Sequence, residues 1–353
     1  MQQRKSRKKI VLTVVTVLAA VIAVILVIKR DVVRMVYHNL VKTEVPLDVS
    51  GGWDGGETYK HIQYADVSDS DYLDLYVPDS EKPVPLLILV HGGGFLFGDS
   101  DTRQCQLMYQ YFRDHGYACA SINYRLAGEA SYPAAVDDVK AAVRFLKANA
   151  EKYGYDPNRI AIWGESAGGY LAVAAGVTED DEYNGVKFIG EEELEEPVSA
   201  KVSAIVDFYG CCRLGQMEKQ FRELKIPKVV TSIAASWGWQ AMRESGYDSF
   251  EEIWLDRPFD ELSEEEVDQM SPAWYAEKNL DADSDLAVMI WHGDADITVP
   301  YLQSEELAEL LTEKLGEDKV SYRLFHNYCH ADDLFYSDEA LGEVQRFIEK
   351  SLS

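Results

Sequence analysis

The sequence predicts an α/β fold: a mostly parallel eight-stranded sheet with helices on both faces, a helical cap insertion, and one N-terminal transmembrane helix. Three observations predict it. Five apolar runs of strand length are continuous instead of alternating, as strands buried on both faces are. An amphipathic helix pattern lies among them at Ala134 to Tyr153. Before them comes an uncharged stretch, residues 10–28, with only two threonines among its apolar residues.

That stretch reads IVLTVVTVLAAVIAVILVI. As a helix it is about 28 Å long, close to the hydrocarbon thickness of a bilayer. A cleaved signal peptide is opposed by its length and by Lys29-Arg30-Asp31, which follow it with no small-residue cleavage site. Residues 1–9 form a basic segment with five Lys or Arg, which favours an inside N-terminus and places the rest of the chain across the membrane. The expected organisation is an anchor at 10–28, a juxtamembrane linker at 29–56, and one α/β domain at 57–353.

Beyond residue 44 the chain carries 25 basic against 59 acidic side chains, a formal charge of −34. Such a surface repels phosphate backbones and excludes nucleic acid from the expected partners; a small neutral substrate is unaffected. Five cysteines at 105, 119, 211, 212 and 329 are too few and too irregular for a disulfide scaffold. Unpaired thiols are the simpler reading, and one bridge from Cys329 to Cys211 or Cys212 is the alternative.

The domain opens with an expected antiparallel hairpin, His61 to Ala65 and Tyr72 to Val77, the second strand alternating in polarity. The continuous runs follow at Pro85 to Val90, Tyr117 to Ile122, Ile160 to Trp163, Val202 to Val206 and Leu286 to Trp291, and a last strand at Ser321 to Phe325. Pro133 stands near the start of the long helix and Gly154 is placed to stop it. Glu179 to Pro197 is strongly acidic and reads as a solvated excursion. Residues 212–271 form a gap too long for an ordinary crossover, rich in aromatics such as Trp237, Trp239 and Trp254, and read as a cap whose rings line an acyl or aryl site.

Gly164-Glu165-Ser166-Ala167-Gly168 stands between an apolar strand and a small-residue helix, the strand–turn–helix context in which G-x-S-x-G presents a nucleophilic serine. A serine hydroxyl needs a base. In this architecture acid and histidine follow the serine along the chain, leaving His292, His326 and His330 as candidates by order. His330 lies far enough into its loop to reach back over Ser166, whereas His326 sits at the strand end. The acid comes from His292-Gly293-Asp294-Ala295-Asp296, past the carboxyl end of a strand, with Asp296 preferred and Asp294 the alternative. His91-Gly92-Gly93-Gly94 follows another strand; its Gly93 and Gly94 amides, with that of Ala167, can bind the oxygen of a tetrahedral intermediate. His91 itself reads as structural, pinning the loop. The loop lacks a phosphate-binding Lys-Ser/Thr, and Asp281, Asp283 and Asp285 lack the glycine and glutamate of a calcium loop, so no metal and no cofactor is expected.

With these motifs in place the sequence resembles the α/β-hydrolase superfamily, and within it the carboxylesterase and hormone-sensitive-lipase-like group that includes BD-FAE esterases. The resemblance covers about residues 55 to 350 and runs through His91 to Phe95, Asn123 to Leu126, Tyr132-Pro133, Asp156 to Ile160, Gly164 to Gly169, Ser271-Pro272, His292 to Pro300 and His330. It implies Ser166 as nucleophile, Asp296 as acid, His330 as base, the amides of Gly93, Gly94 and Ala167 as the oxyanion hole, and Glu165 as a support behind the elbow. The implied activity is hydrolysis of small acyl or aryl esters. Short-peptide or amide hydrolysis is the runner-up, and a non-catalytic binding protein is a third reading that the complete triad opposes.

Overall fold

The computed structural model describes residues 30–41, 44–46, 55–234 and 238–353. The expected spanning segment, residues 10–28, lies outside them, as does the basic segment 1–9; among the described residues no helix is long and apolar enough to cross a membrane.

Eight strands form one sheet in the order β1-β2-β4-β3-β5-β6-β7-β8. They are β1 (Gly56–Gln63), β2 (Tyr72–Pro78), β3 (Val84–Val90), β4 (Ala118–Ile122), β5 (Tyr155–Glu165), β6 (Ala204–Phe208), β7 (Ala287–Gly293) and β8 (Val320–Phe325). Only β2 runs antiparallel to its neighbours, β1 on one side and β4 on the other; every other pairing is parallel.

Continuous apolar strands work because alternate residues enter two different cores. Leu86, Ile88 and Val90 of β3 enter one core and Leu87 and Leu89 the other. In β5, Ile162 and Trp163 divide in the same way. The first core is closed by α3 (Ala134–Ala148) and α4 (Ala167–Val177), with α7 (Leu302–Leu315) farther along. The second is closed by α2 (Arg103–Asp114) and α8 (Asp338–Ser351).

Several boundaries differ from expectation. β1 spans Gly56–Gln63 instead of His61 to Ala65, with a register shift against β2 between Tyr59 and Ile62. The long helix ends at Ala148, and a separate turn at Ala150–Tyr153 runs to Gly154, whose φ of 90° stops it. The acidic excursion is only partly solvated: Val186 and Phe188 are buried, and Ala65 bridges to Phe188. All five cysteines are buried and none forms a disulfide, so neither Cys211 nor Cys212 bridges to Cys329.

Within the expected linker 29–56, Arg30–Leu40 is a helix, α1, whose Met35 packs with Phe221, Ile226, Ala295 and Ile297. The insertion between β6 and β7 is helical, beginning with α5 (Met217–Glu223) and α6 (Lys228–Ala234) and continuing to the helix Pro272–Asn279.

Candidate active site

The carboxyl ends of β3, β5, β7 and β8 deliver the site. β5 ends at Glu165 and α4 begins at Ala167, so Ser166 alone makes the turn, with φ 53° and ψ −119°. A non-glycine residue in that region is strained and persists only when its surroundings hold it. Here the Ser166 N–H donates to Phe208 O at 2.9 Å, and Gly164 permits the fold-back: a Cβ there would lie 1.9 Å from Gly168 O. Behind the turn the buried Glu165 carboxylate accepts hydrogen bonds from Tyr209 at 2.9 Å and from Tyr336, and burial pushes its carboxyl pKa up.

The Ser166 hydroxyl donates to His330 Nε2 at 2.9 Å, and His330 Nδ1 donates to Asp296 Oδ2 at 2.6 Å. The other carboxylate oxygen of Asp296 accepts the backbone N–H groups of Thr298 at 2.7 Å and Val299 at 2.9 Å. Burial works against ionisation of Asp296, but the charge of His330 and hydrogen bonds from His292 and His330 prevail and hold its carboxyl well below the usual range. A buried carboxylate kept ionised beside an imidazole can fix the ring's tautomer and favour the imidazolium.

His292, a candidate base by order alone, is fully buried away from Ser166. Its Nδ1 meets Ser304 Oγ at 2.7 Å, and its Nε2 meets Val299 O at 3.1 Å and Asp296 Oδ2 at 3.2 Å. Asp296 thus serves two histidines, a contact that sequence order does not reveal. Asp294, the alternative acid, accepts from His326 Nδ1 at 2.8 Å, the Asn327 N–H at 2.7 Å and Arg34 Nη1 at 2.8 Å. That second pair stands apart from the serine.

The glycine loop after β3 borders the same cavity as Ser166. Gly93 has φ 119°, and a Cβ on it would lie 2.0 Å from Phe97 O, so only glycine allows this tight turn of backbone. His91 holds the loop's root: Nδ1 lies 2.7 Å from Gly92 O, the ring stacks on Tyr124, and burial lowers its pKa. Ala167 is the first residue of α4, where backbone N–H groups are free of intrahelical partners. Amides of Gly93, Gly94 and Ala167 can therefore stabilise negative charge built up beside Ser166.

The cavity holds about 540 Å³ and is bordered by Gly93, Ser166, Tyr209, Ile297 and His330, and also by α1 through Val36, Asn39 and Leu40. Among the described residues none of 212–271 borders it, contrary to the expectation of an aromatic cap lining. Trp254 is instead fully buried and stacks on Phe95 at 3.9 Å, fixing the end of the glycine loop from behind.

The BD-FAE family profile matches residues 73–311, most of the catalytic domain and the span that holds Ser166 and Asp296. The chain belongs to the BD-FAE family. This BD-FAE chain is 38% identical to Esterase LipC of Mycobacterium tuberculosis over 129 residues, which is 36% of this chain and 30% of LipC. It is 36% identical to Carboxylesterase NlhH of the same species over 34% of this chain and 37% of NlhH. The alignments thus span about a third of the length of these relatives. Among solved structures, the bifunctional GH43-CE protein of Bacteroides eggerthii is 26% identical with a TM-score of 0.67, covering 84% of this chain and 35% of that one. A truncated carbohydrate esterase from gut microbiota has a TM-score of 0.65 at 24% identity, covering 85% of this chain and 98% of that one, and shows the shared α/β-hydrolase fold.

Proposed function

We propose that this protein is a serine carboxylesterase that hydrolyses small acyl or aryl esters through an acyl-enzyme. The observation that carries the reading is the unbroken chain from Ser166 through His330 to Asp296, at 2.9 and 2.6 Å, opening on a cavity beside the glycine loop. His330 takes the hydroxyl proton as Ser166 Oγ attacks the ester carbonyl carbon, and the carbonyl oxygen gains the negative charge. The Gly93, Gly94 and Ala167 amides hold that oxygen. The intermediate collapses, the alcohol leaves with the proton from His330, and water cleaves the acyl-enzyme by the reverse route.

The reading includes a place. Residues 10–28 anchor the chain, and the catalytic domain works outside the cytoplasm, supported by the charge-free length of that stretch and the basic residues before it. α1 begins two residues after the stretch ends, which keeps the catalytic domain close to the bilayer.

The test is the full chain in nonionic detergent, assayed on aryl esters from acetyl to decanoyl and on acetylated sugars, with a fluorophosphonate probe in parallel. Wild type is expected to turn over esters and to be labelled at Ser166. Ser166→Ala is expected to lose labelling and on the order of 10⁴-fold or more in kcat. Near-wild-type hydrolysis by Ser166→Ala would overturn the assignment.

A further inference from the structure

The chemistry above uses residues from β3 onward, yet α1 forms one wall of the cavity. Its attachment is specific. Arg34 Nη1 donates to Asp294 Oδ1 at 2.8 Å and to Asn327 Oδ1 at 2.9 Å, and Asn39 Nδ2 donates to Ala295 O at 2.7 Å. Met35 is buried against Phe221, Ile226, Ala295 and Ile297. The polar anchors therefore fall on the two residues preceding Asp296 and on the loop that leads to His330.

Helical spacing divides the work. Met35 and Asn39, four apart, share the face that meets the loop after β7, while Val36 and Leu40, one step further round, border the cavity. Val36 is half-buried; Leu40 is 72% exposed and stands at the rim. A substrate group that extends out of the pocket on the α1 side meets Leu40.

We infer that Val36 and Leu40 are specificity-determining residues, and that Arg34 is a positioning residue that seats them: the segment next to the apolar stretch limits the length and bulk of the ester that fits beside Ser166. This rests on the esterase reading. It explains why an aromatic insertion need not line the pocket, because α1 supplies the apolar wall instead. The substrates it selects are esters whose acyl or aryl group fits against Val36 and Leu40 within a cavity of about 540 Å³.

Opposite substitutions at the exposed rim test it in the full-length protein. Leu40→Ala should raise the decanoyl-to-acetyl ratio of kcat/KM by roughly 5- to 10-fold, and Leu40→Trp should lower it by a similar factor. Arg34→Ala should move the ratio in the same direction as Leu40→Ala, acting through KM with the pH–rate profile unchanged, and Arg34→Lys should recover part of the shift. Ratios within 2-fold of wild type in both Leu40 variants, with wild type active and labelled at Ser166, would overturn this inference alone. A wild type that neither hydrolyses esters nor takes the label would sink the esterase reading and this inference with it.

Discussion

Two aspartate–histidine pairs arise from the same two loops. Asp296 and His330 lie 2.6 Å apart, and Asp294 and His326 lie 2.8 Å apart, with each partner of the second pair a few residues nearer its strand. The chemistry of the two couples is the same and their surroundings are not. The Asp296 side chain is fully buried and that of His330 is 15% exposed, with Ser166 on its far nitrogen. His326 is 72% exposed, and Asp294 spends its other oxygen on Arg34 and the Asn327 amide. An aspartate–histidine contact is thus no triad until a third group and a dry environment complete it. The outer pair is better understood as a clasp for α1 than as a second proton relay.

The sharpest test separates the two histidines. His330→Ala removes the only imidazole in contact with Ser166 among the described residues and should lower kcat by on the order of 10⁴- to 10⁶-fold on a short aryl ester. His326→Ala should change kcat less than about 3-fold, since an exposed pair on a surface contributes little. Comparable losses from both would break the distinction. The aspartates follow at a smaller scale. Asp296→Asn should cost about 10⁴-fold in kcat by letting the His330 ring adopt the wrong tautomer. Asp294→Asn should act through the seat of α1, raising KM a few-fold and leaving the pH–rate profile in place.

Much of this was legible in the sequence, and the legible parts share a cause. Alternation and continuity of apolar residues report burial directly, so the eight strands and their mostly parallel arrangement followed from the runs around Leu86, Ile162 and Val288. Ser166, His330 and Asp296, which a motif in context and chain order single out, stand in contact, because both signals reflect constraints local to each strand end. What escaped depends on contacts between distant parts of the chain. Arg34 and Asp294 are 260 residues apart, and nothing near Arg34 marks its partner. An amphipathic helix of eleven residues beside an apolar stretch reads as a linker until the surface it packs on is known. Trp254 failed in the other direction: its aromatic character suggested a substrate wall, but the same ring area serves equally well to bury Phe95.

Stability against pH sharpens the comparison at its smallest scale. Both carboxyls titrate below the ordinary range in the folded protein, so each contributes stability that is present above the ordinary carboxylate pKa and is lost as pH falls through the folded value. Burial opposes both; Asp296 overcomes it through two histidines, and Asp294 through Arg34, the Asn327 amide and His326. Asp294 is 19% exposed at its side chain and is screened by water, so Asp294→Asn should cost under about 1 kcal/mol at neutral pH. Asp296→Asn should cost about 2 to 4 kcal/mol there, because it leaves His330 and His292 without their shared acceptor. Denaturant unfolding from about pH 3 to about pH 8 should show the Asp296 gap as constant above about pH 5 and narrowing below about pH 4, as the wild-type carboxylate begins to lose its advantage over the unfolded chain. A gap that widened toward acid would mean that Asp296 is protonated in the folded protein, and the buried pair would then be no better placed to favour an imidazolium than the exposed one.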